Sequence, residues 1–454
     1  MRRARRCLAA LARIGLGAVL GGLFMPASGQ QSSQATASLN SAAPITLTLM
    51  DALARARANE PQYHAALTQY AVARQNRIQA RAALLPEVSY NAGFLYTQGN
   101  NTSTGRYIGQ NGVHEYISEG NAHQAISFQN MAEYRLASAE EALAKAQSEV
   151  ATRGLVVTVV EAYYGYVVAQ RKYSTAQGAA AEAQHFFDIT QKLERGGEVA
   201  HADTIKGQLQ LRQQQRGLQE AELEMDRSRL ALAVLIFPNF SENFTTVDDL
   251  QHLRSLPSFQ EVELQAEKNN PQLAIALAAL NAANQEVAVA WNSFLPSLNL
   301  NYFYGIDASR FAVNGFDPVS SRSVRNLGYA ASATLEFPIW NWGASRSKVK
   351  SASYQREQAK LELSFAQRKM LADLKTLSSE SQAAESQIDG LRQSADLATE
   401  SLRLTTLRYQ AGEATALEVV DAQNTLTVSQ NALGDGELRF RVAVANLQTL
   451  TGQF

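Results

Sequence analysis

Proline is the residue that most limits what this chain can fold into. The ten prolines stand at 26, 44, 61, 86, 238, 257, 271, 296, 318 and 338. None lies between 87 and 237 and none after 338. Proline removes a backbone donor and clashes with the preceding helical turn, so both proline-free stretches are open to very long helices. Each contains one glycine-centred break, LERGGEVAHADTIKGQLQL (Leu193 to Leu211) and RYQAGEATALEVVDAQNTL (Arg408 to Leu426). The expectation is two helical hairpins with tips at about 195–200 and 410–415. A helix of roughly sixty-five residues leading to each tip would reach on the order of 100 Å.

The two stretches belong to a longer repeat. NEPQ at Asn59–Gln62 returns as NNPQ at Asn269–Gln272, and LLPEVSY at Leu84–Tyr90 returns as FLPSLNL at Phe294–Leu300, both 210 residues later. The tips align at 215 residues, Gly197 with Gly412 and Glu198 with Glu413. Self-similarity at a fixed offset marks a duplicated unit. The expected division is a first repeat at 47–240, a linker at 241–257 and a second repeat at 258–454. Each repeat holds a short helix, a proline-opened helix, a strand hairpin and a helical hairpin.

The strand hairpins are expected at about 87–128 and 297–337. In the second, Leu298, Leu300, Tyr302, Tyr304 and Ile306 alternate with Ser297, Asn299, Asn301, Phe303 and Gly305, and Leu327, Tyr329, Ala331, Ala333, Leu335 and Phe337 alternate with polar or small residues on return. Val88, Tyr90, Ala92, Phe94 and Tyr96 repeat the pattern in the first, whose return strand, from about Tyr116 to Phe128, is noisier because of Glu115 and Glu119. Period-two alternation reads as strand with one apolar face. The helices carry a different period. Leu363, Met370, Leu377, Ala384 and Leu391 recur every seven residues, and Leu374, Ile388, Ala395 and Leu402 sit four after such positions. That is a coiled-coil seam thinned by small side chains, suited to a curved wall of close-packed helices.

The first residues are an export leader. Arg2, Arg3, Arg5 and Arg6 precede an apolar run from Ile14 to Met25 and a small-residue site at Ala27-Ser28-Gly29. The run is too short to span a bilayer, so residues 1–29 read as a cleaved signal peptide and 30–46 as a flexible N-terminal segment. The net charge of −1 includes the leader's five arginines, and without them the remainder carries −6. That balance argues against a nucleic-acid partner. The single cysteine, Cys7, lies in the leader, which leaves no thiol for a disulfide or metal site.

Strands of about ten residues with one apolar face fit a transmembrane barrel with a polar interior. Four strands cannot close one, and an open sheet edge is not tolerated in lipid, so several chains must share the barrel. The competing reading is a soluble sandwich. At this point a family resemblance becomes specific. Tyr409, Gly412, Leu417, Val420, Asp421, Ala422 and Gln423 follow the pattern Y-x-x-G-x-x-x-x-L-x-x-V-D-A-Q of the outer-membrane efflux proteins. AYYGYVVAQRK at Ala162–Lys172 is similar to that family's helix between barrel and tip. The chain thus resembles the TolC-like exit ducts of Gram-negative bacteria over essentially all of the part that follows the leader.

The resemblance implies a membrane α+β fold: a trimeric, twelve-stranded outer-membrane β-barrel, continued by a periplasmic α-helical coiled-coil barrel that narrows at the tips. It implies a passive duct for substrate handed over by an inner-membrane pump (RND, ABC or MFS type) and a periplasmic adaptor protein, with outer-membrane lipid around the barrel. Small-molecule efflux is the expected task. Type I protein secretion and a channel-less coiled-coil surface protein are the alternatives.

Candidate residues follow. Gly197 and Gly412 allow the positive φ of a tight turn, as C-cap glycines also do. Glu198, Val199, Glu413 and Ala414 are the exposed tip positions expected to meet the adaptor. By resemblance, Asp203, Tyr409, Glu418 and Asp421 line the periplasmic constriction. The arginine that the family places nearby is absent, and Ala414 stands in its position. The same acids would also suit a helix's first turn. Trp340 and Trp342 fall at a strand end, which fits a membrane interface or packing at the barrel-to-helix joint. The six histidines are scattered and show no ligand spacing, and no phosphate loop or nucleophile elbow occurs. No enzyme activity, cofactor or metal is therefore expected.

Overall fold

The computed structural model describes residues 45–97, 114–239, 243–251, 256–317 and 321–452. The expected signal peptide and most of the expected N-terminal segment lie outside these residues, as does the loop of the first strand hairpin. The first half runs β1 (Ile45–Leu47), α1 (Leu49–Asn59), α2 (Pro61–Ala82), β2 (Glu87–Tyr96), β3 (His114–Ser127), α3 (Phe128–Arg195) and α4 (His201–Ile236). The second runs β4 (Phe244–Thr246), α5 (Phe259–Asn269), α6 (Pro271–Asn292), β5 (Ser297–Ala308), β6 (Asn314–Asp317), β7 (Arg322–Arg325), β8 (Leu327–Glu336), α7 (Ala344–Gln410) and α8 (Ala416–Thr451). The helices of the halves match in length: 11 and 11 residues, 22 and 22, 68 and 67, 36 and 36.

Local chemistry sets the boundaries. The NEPQ and NNPQ motifs are helix-to-helix corners, in which Glu60 and Asn270 cap the next helix and Pro61 and Pro271 take its first turn, a place where proline's missing donor is not needed. Phe259–Asn292 is long and apolar enough to cross a membrane by length and composition. The corner at Asn270 breaks it into α5 and α6, and α6 packs on α3 and α7. The turn from β3 into α3 has no proline. Ser127, the last strand residue, caps the helix itself by accepting from the Asn130 N–H at 3.0 Å.

Two features were not foreseen. Ile45–Leu47, whose first two residues fall in the segment expected to be flexible, pairs in parallel with Phe244–Thr246 of the expected linker. A second small hairpin, β6–β7, extends the β5–β8 loop.

The main core forms where that parallel pair lies over the middle of α3. Leu155, Val159, Tyr163, Tyr164 and Val167 pack with Leu232 and Ile236 of α4, Leu47 and Phe244. The Tyr163 hydroxyl lies 2.9 Å from both the Leu47 and the Val247 carbonyl, either of which can accept its one proton, and it accepts from the Val247 N–H at 3.0 Å. Elsewhere the helices meet along thin seams. In α7, Leu374, Ser381, Ile388, Ala395, Leu402 and Tyr409 are all buried at seven-residue spacing, a coiled-coil period. Small residues on the seam let the backbones approach.

Strands β2, β3, β5 and β8 form one antiparallel sheet in the order β2-β3-β5-β8. Strands β2 and β8 are its edges, and every residue of β2 is exposed.

Candidate functional site

The sheet has two chemically distinct faces. Register puts Val88, Tyr90, Phe94 and Tyr96 on the same side as Tyr116, Ile126, Leu298, Leu300, Tyr302, Tyr304, Tyr329 and Leu335. Most of these side chains are exposed, and nothing among the described residues covers them. The opposite side carries Asn91, Glu119, Asn121, His123, Asn301, Ser332 and Thr334, with Leu95, Ile117 and Phe303 among them, and His123 and Asn301 are bonded at 2.6 Å.

Below β8, the chain exposes a run of apolar side chains before α7 begins. Trp340 is 74% and Trp342 90% exposed, with their rings edge to face at 5.8 Å. Trp342 takes a positive φ of 55° and Gly343 one of 83°, which turns the chain into α7. The tryptophans are not packed into the joint.

At the far end the two tips are built alike. Gly197 and Gly412 take φ of 78° and 76°. Glu198 N–H bonds the Leu193 carbonyl at 2.9 Å and Glu413 N–H the Arg408 carbonyl at 2.8 Å. These six-residue closures satisfy the carbonyls that a helix end leaves open. Beneath the tips, Phe186, Leu402, Tyr409, Ala416, Val419 and Ala422 form one apolar cluster. Val199 and Ala414 pack against that cluster and are half-buried. They are not free tip positions, and the exposed ones are Gly197, Glu198, Gly412 and Glu413.

The expected constriction residues divide in their surroundings. Tyr409 is 3% exposed, stacks edge to face on Phe186 at 5.2 Å, and its hydroxyl has no partner within the described chain. Burial, with the charge of Asp203 added, pushes that hydroxyl's pKa up; Asp203 and Tyr409 therefore lie within electrostatic reach. Asp203 itself pairs with Lys206 at 3.2 Å. Glu418 closes a capping box, accepting from the Thr415 N–H and hydroxyl, each at 3.0 Å. The Thr415 backbone bond first, then the hydroxyl, holds its carboxyl below the usual range, with a lesser pull from Arg408, 3.7 Å away. Its counterpart on the first tip is Asp203, whose cap position is Ala200 and offers no hydroxyl. Asp421 is exposed and makes no ion pair among the described residues.

Sequence reasoning missed a clasp at the level of the main core. Arg171 of α3 grips Asp248 at 2.5 and 2.6 Å and Glu437 of α8 at 2.5 Å. Glu437 is buried. Neither acid has a tell-tale spacing to Arg171. The only sequence signal was Arg171's place inside the AYYGYVVAQRK segment.

A family model described as "Outer membrane efflux protein" matches residues 52–236 and 264–453. The chain belongs to the outer membrane efflux protein family. This member is an outer-membrane exit duct for efflux or secretion, acting in the outer membrane of a Gram-negative cell as a component of a tripartite assembly. It is 24% identical over 416 residues to the alkaline protease secretion protein AprF of Pseudomonas aeruginosa, covering 89% of this chain and 84% of AprF. It is 22% identical to the outer membrane protein TolC of Escherichia coli K12, covering 89% of this chain and 82% of TolC. Among solved structures, the fold matches the CmeC outer membrane channel of Campylobacter jejuni with a TM-score of 0.76 at 17% identity, over 89% of this chain and 85% of CmeC. The open-state MtrE channel of Neisseria gonorrhoeae matches with a TM-score of 0.75 at 19% identity, over 89% and 88%.

Proposed function

We propose that three copies of this chain join their four-stranded sheets into one closed twelve-stranded barrel, and their helices into a tunnel through the periplasm. The observation that carries this reading is the sheet itself, whose edges β2 and β8 have no partner, and whose apolar face no cover, among the described residues. In lipid, backbone donors and acceptors must be paired; joining β8 of one copy to β2 of the next satisfies both edges. Trp340 and Trp342 then lie at the periplasmic membrane interface, where tryptophan is enriched. The equal helix lengths and the family model's two matched stretches support an internal duplication in which each half supplies a strand hairpin and a helical hairpin.

In this assembly the tips gather around one axis. Asp203, Tyr409, Glu418 and Asp421 form the constriction, and Gly197, Glu198, Gly412 and Glu413 present the surface for the adaptor, with Val199 and Ala414 bracing it from inside. An inner-membrane pump of RND, ABC or MFS type drives the cargo and the duct is passive. The cargo is small molecules; the likeness to AprF, a protease secretion protein, favours protein export as the second reading. The measurement is of outer-membrane fractions run unheated and heated, and of the purified species in planar bilayers. The expected result is a heat-modifiable trimer that conducts ions. A strictly monomeric, water-soluble species would defeat the reading. Deleting the gene and scoring drug susceptibility against loss of a secreted protein separates the two cargoes.

A further inference from the structure

The helix ends that meet the sheet are unevenly charged. The last twelve residues of α2 and of α6, with the first twelve of α3 and of α7, hold seven lysines and arginines against two glutamates. The strands above them hold no lysine or arginine. The two signs favour opposite sides of the helix layer. Glu133 and Glu140 fall on one stripe of α3. Burial, with the charge of Glu286 on α6 added, raises the Glu140 pKa, so these two acids lie within electrostatic reach. The Gln355 amide of α7 lies 3.1 Å from both carboxylate oxygens of Glu286. One side of α3, α6 and α7 is thus the acidic side, and Lys348, seven residues before Gln355, falls on it as well.

The other side is basic and apolar. On α3, Phe128, Met131 and Arg135 stand at i, i+3 and i+7, across the helix from Glu133 and Glu140, and Phe128 follows Ile126 of the sheet's apolar row. On α7, Arg346 and Lys350 are one turn apart and about half a turn round from Lys348 and Gln355. On α2, Arg77 reaches Glu141 across the α2–α3 seam, and Arg74, Ile78 and Arg81 form the next stripe. Because α2 runs toward the sheet and α3 away from it, right-handed winding sets that stripe on the side of Arg135. Arg74, Arg81, Arg135, Arg346 and Lys350 are exposed and have no ion pair among the described residues; the Lys350 ammonium lies 5.8 Å from the centre of the Tyr354 ring. All five stand within about 12 Å of the helix ends. Among them and toward the sheet, Ile78, Leu85, Phe128, Met131 and Ile339 expose apolar side chains, as do the two tryptophans.

We infer that this side of the helix ends is a lipid-binding collar, which takes the phosphate head groups of acidic phospholipids in the periplasmic leaflet of the outer membrane. This rests on the membrane position proposed above, in which the apolar sheet face meets lipid and the helices begin at its periplasmic edge. Basic clusters just outside a membrane-spanning segment attract acidic lipids, and surface charge is felt over a screening length of about 8 Å. Long arginine and lysine stems lie along apolar surface while their charged ends reach the head-group layer. Arginine then holds a phosphate through two parallel N–H bonds. The exposed apolar side chains decide the occupant. They lie where a bilayer's interfacial layer would bury them, whereas a hydrated cell-wall polymer would leave them in water.

The test uses the full-length protein, reconstituted into vesicles of equal parts phosphatidylglycerol and phosphatidylethanolamine and re-extracted in mild detergent. Mass spectrometry of the intact assembly counts the lipids it keeps. Wild type should retain phosphatidylglycerol over phosphatidylethanolamine by about fivefold or more. That preference should fall toward parity between 0.1 and 1 M KCl, as the screening length drops from about 10 to about 3 Å. The collar variant R74Q, R81Q, R135Q, R346Q and K350Q should lose the preference, and K348Q, on the acidic side, should keep it. A wild type without preference, a collar variant that keeps it, or a K348Q that loses as much overturns the inference. Should the five-site variant fail to assemble, R346Q with K350Q decides: the preference falls by roughly half or more, or the collar is refuted. Binding to purified cell-wall sacculi that the collar variant loses, with no lipid preference in wild type, overturns it in favour of a cell-wall partner. A wild-type chain that never enters the bilayer is a different outcome, since it refutes the membrane position and not the collar alone.

Discussion

At the scale of single residues, Tyr163 shows what holds the middle of the duct together. Its hydroxyl ties three backbone groups of two separate segments, Leu47 and Val247, and so pins the parallel strand pair to α3. Tyr163→Phe takes the hydroxyl partner from the Val247 carbonyl, while the Leu47 carbonyl and the Val247 N–H keep each other at 3.1 Å, and the expected cost is about 1 kcal/mol, read from thermal or denaturant unfolding in detergent. The pH dependence has a definite sign. Burial pushes the Tyr163 hydroxyl up from 10.0 to about 12. In that window the unfolded chain has lost the proton and the folded chain keeps it, so stability present below pH 10 falls as pH rises toward 12. Tyr163→Phe should flatten this alkaline loss while lowering stability at neutral pH. None of this was legible beforehand. A tyrosine on a helix gives no sign that it will reach strands 116 and 84 residues away, and the strands themselves are three residues long. The tip residues were legible in part. The glycines were readable because positive φ leaves a strong sequence mark. That Val199 and Ala414 turn inward was not, since a short apolar side chain at a turn gives no indication of its direction.

The elements themselves were far easier to read. Proline-free length, the heptad in α7 and the alternation of β5 and β8 are local patterns, and α3 and α7 each match the expected length closely. The noise in β3 had a physical cause: Glu115 and Glu119 are not misfits but members of the polar face, as the pairing of Glu119 with Asn91 shows. The element that sequence could not supply was the β3–β5 junction, because alternation fixes which residues share a face but not which strands meet. That junction makes a sharp prediction. Gly305 lies on it without room for a side chain, whereas a Cβ at Gly328 would meet nothing within 4 Å. Gly305→Ala forces β5 away from β3, and strained overpacking of this kind costs about 1–3 kcal/mol. It should sharply reduce the yield of heat-modifiable trimer in outer-membrane fractions, while Gly328→Ala leaves the yield near wild type. Equal behaviour of the two variants would contradict the observed register.

Across the whole molecule, the question is how two similar halves are kept from separating when their seams are thin and rich in alanine and serine. Arg171 supplies one answer. It stands on α3 in the first half, bonds Asp248 in the segment between the halves, and bonds Glu437 on α8 in the second. The three residues of the clasp come from three parts of the chain, so it fastens the linker and both long helical hairpins at one level. Glu437 is only 2% exposed at its side chain, and its other cation, Arg392, is 4.0 Å away. Removing Arg171 therefore leaves a buried carboxylate with a single distant partner, and a broken buried pair of this kind costs about 3–5 kcal/mol. The half-open position of Arg171, 28% exposed, brings the expectation for Arg171→Gln to the lower end, about 3 kcal/mol. The sign of the second substitution decides whether the charge is responsible. If it is, Glu437→Gln in the Arg171→Gln background recovers part of the loss, giving a coupling of about 1–3 kcal/mol in a double-mutant cycle. Limited proteolysis gives an independent reading, because cleavage in the 241–257 segment should rise in Arg171→Gln. If the double variant is no more stable than Arg171→Gln alone, the clasp acts through packing of the arginine stem and not through its charge.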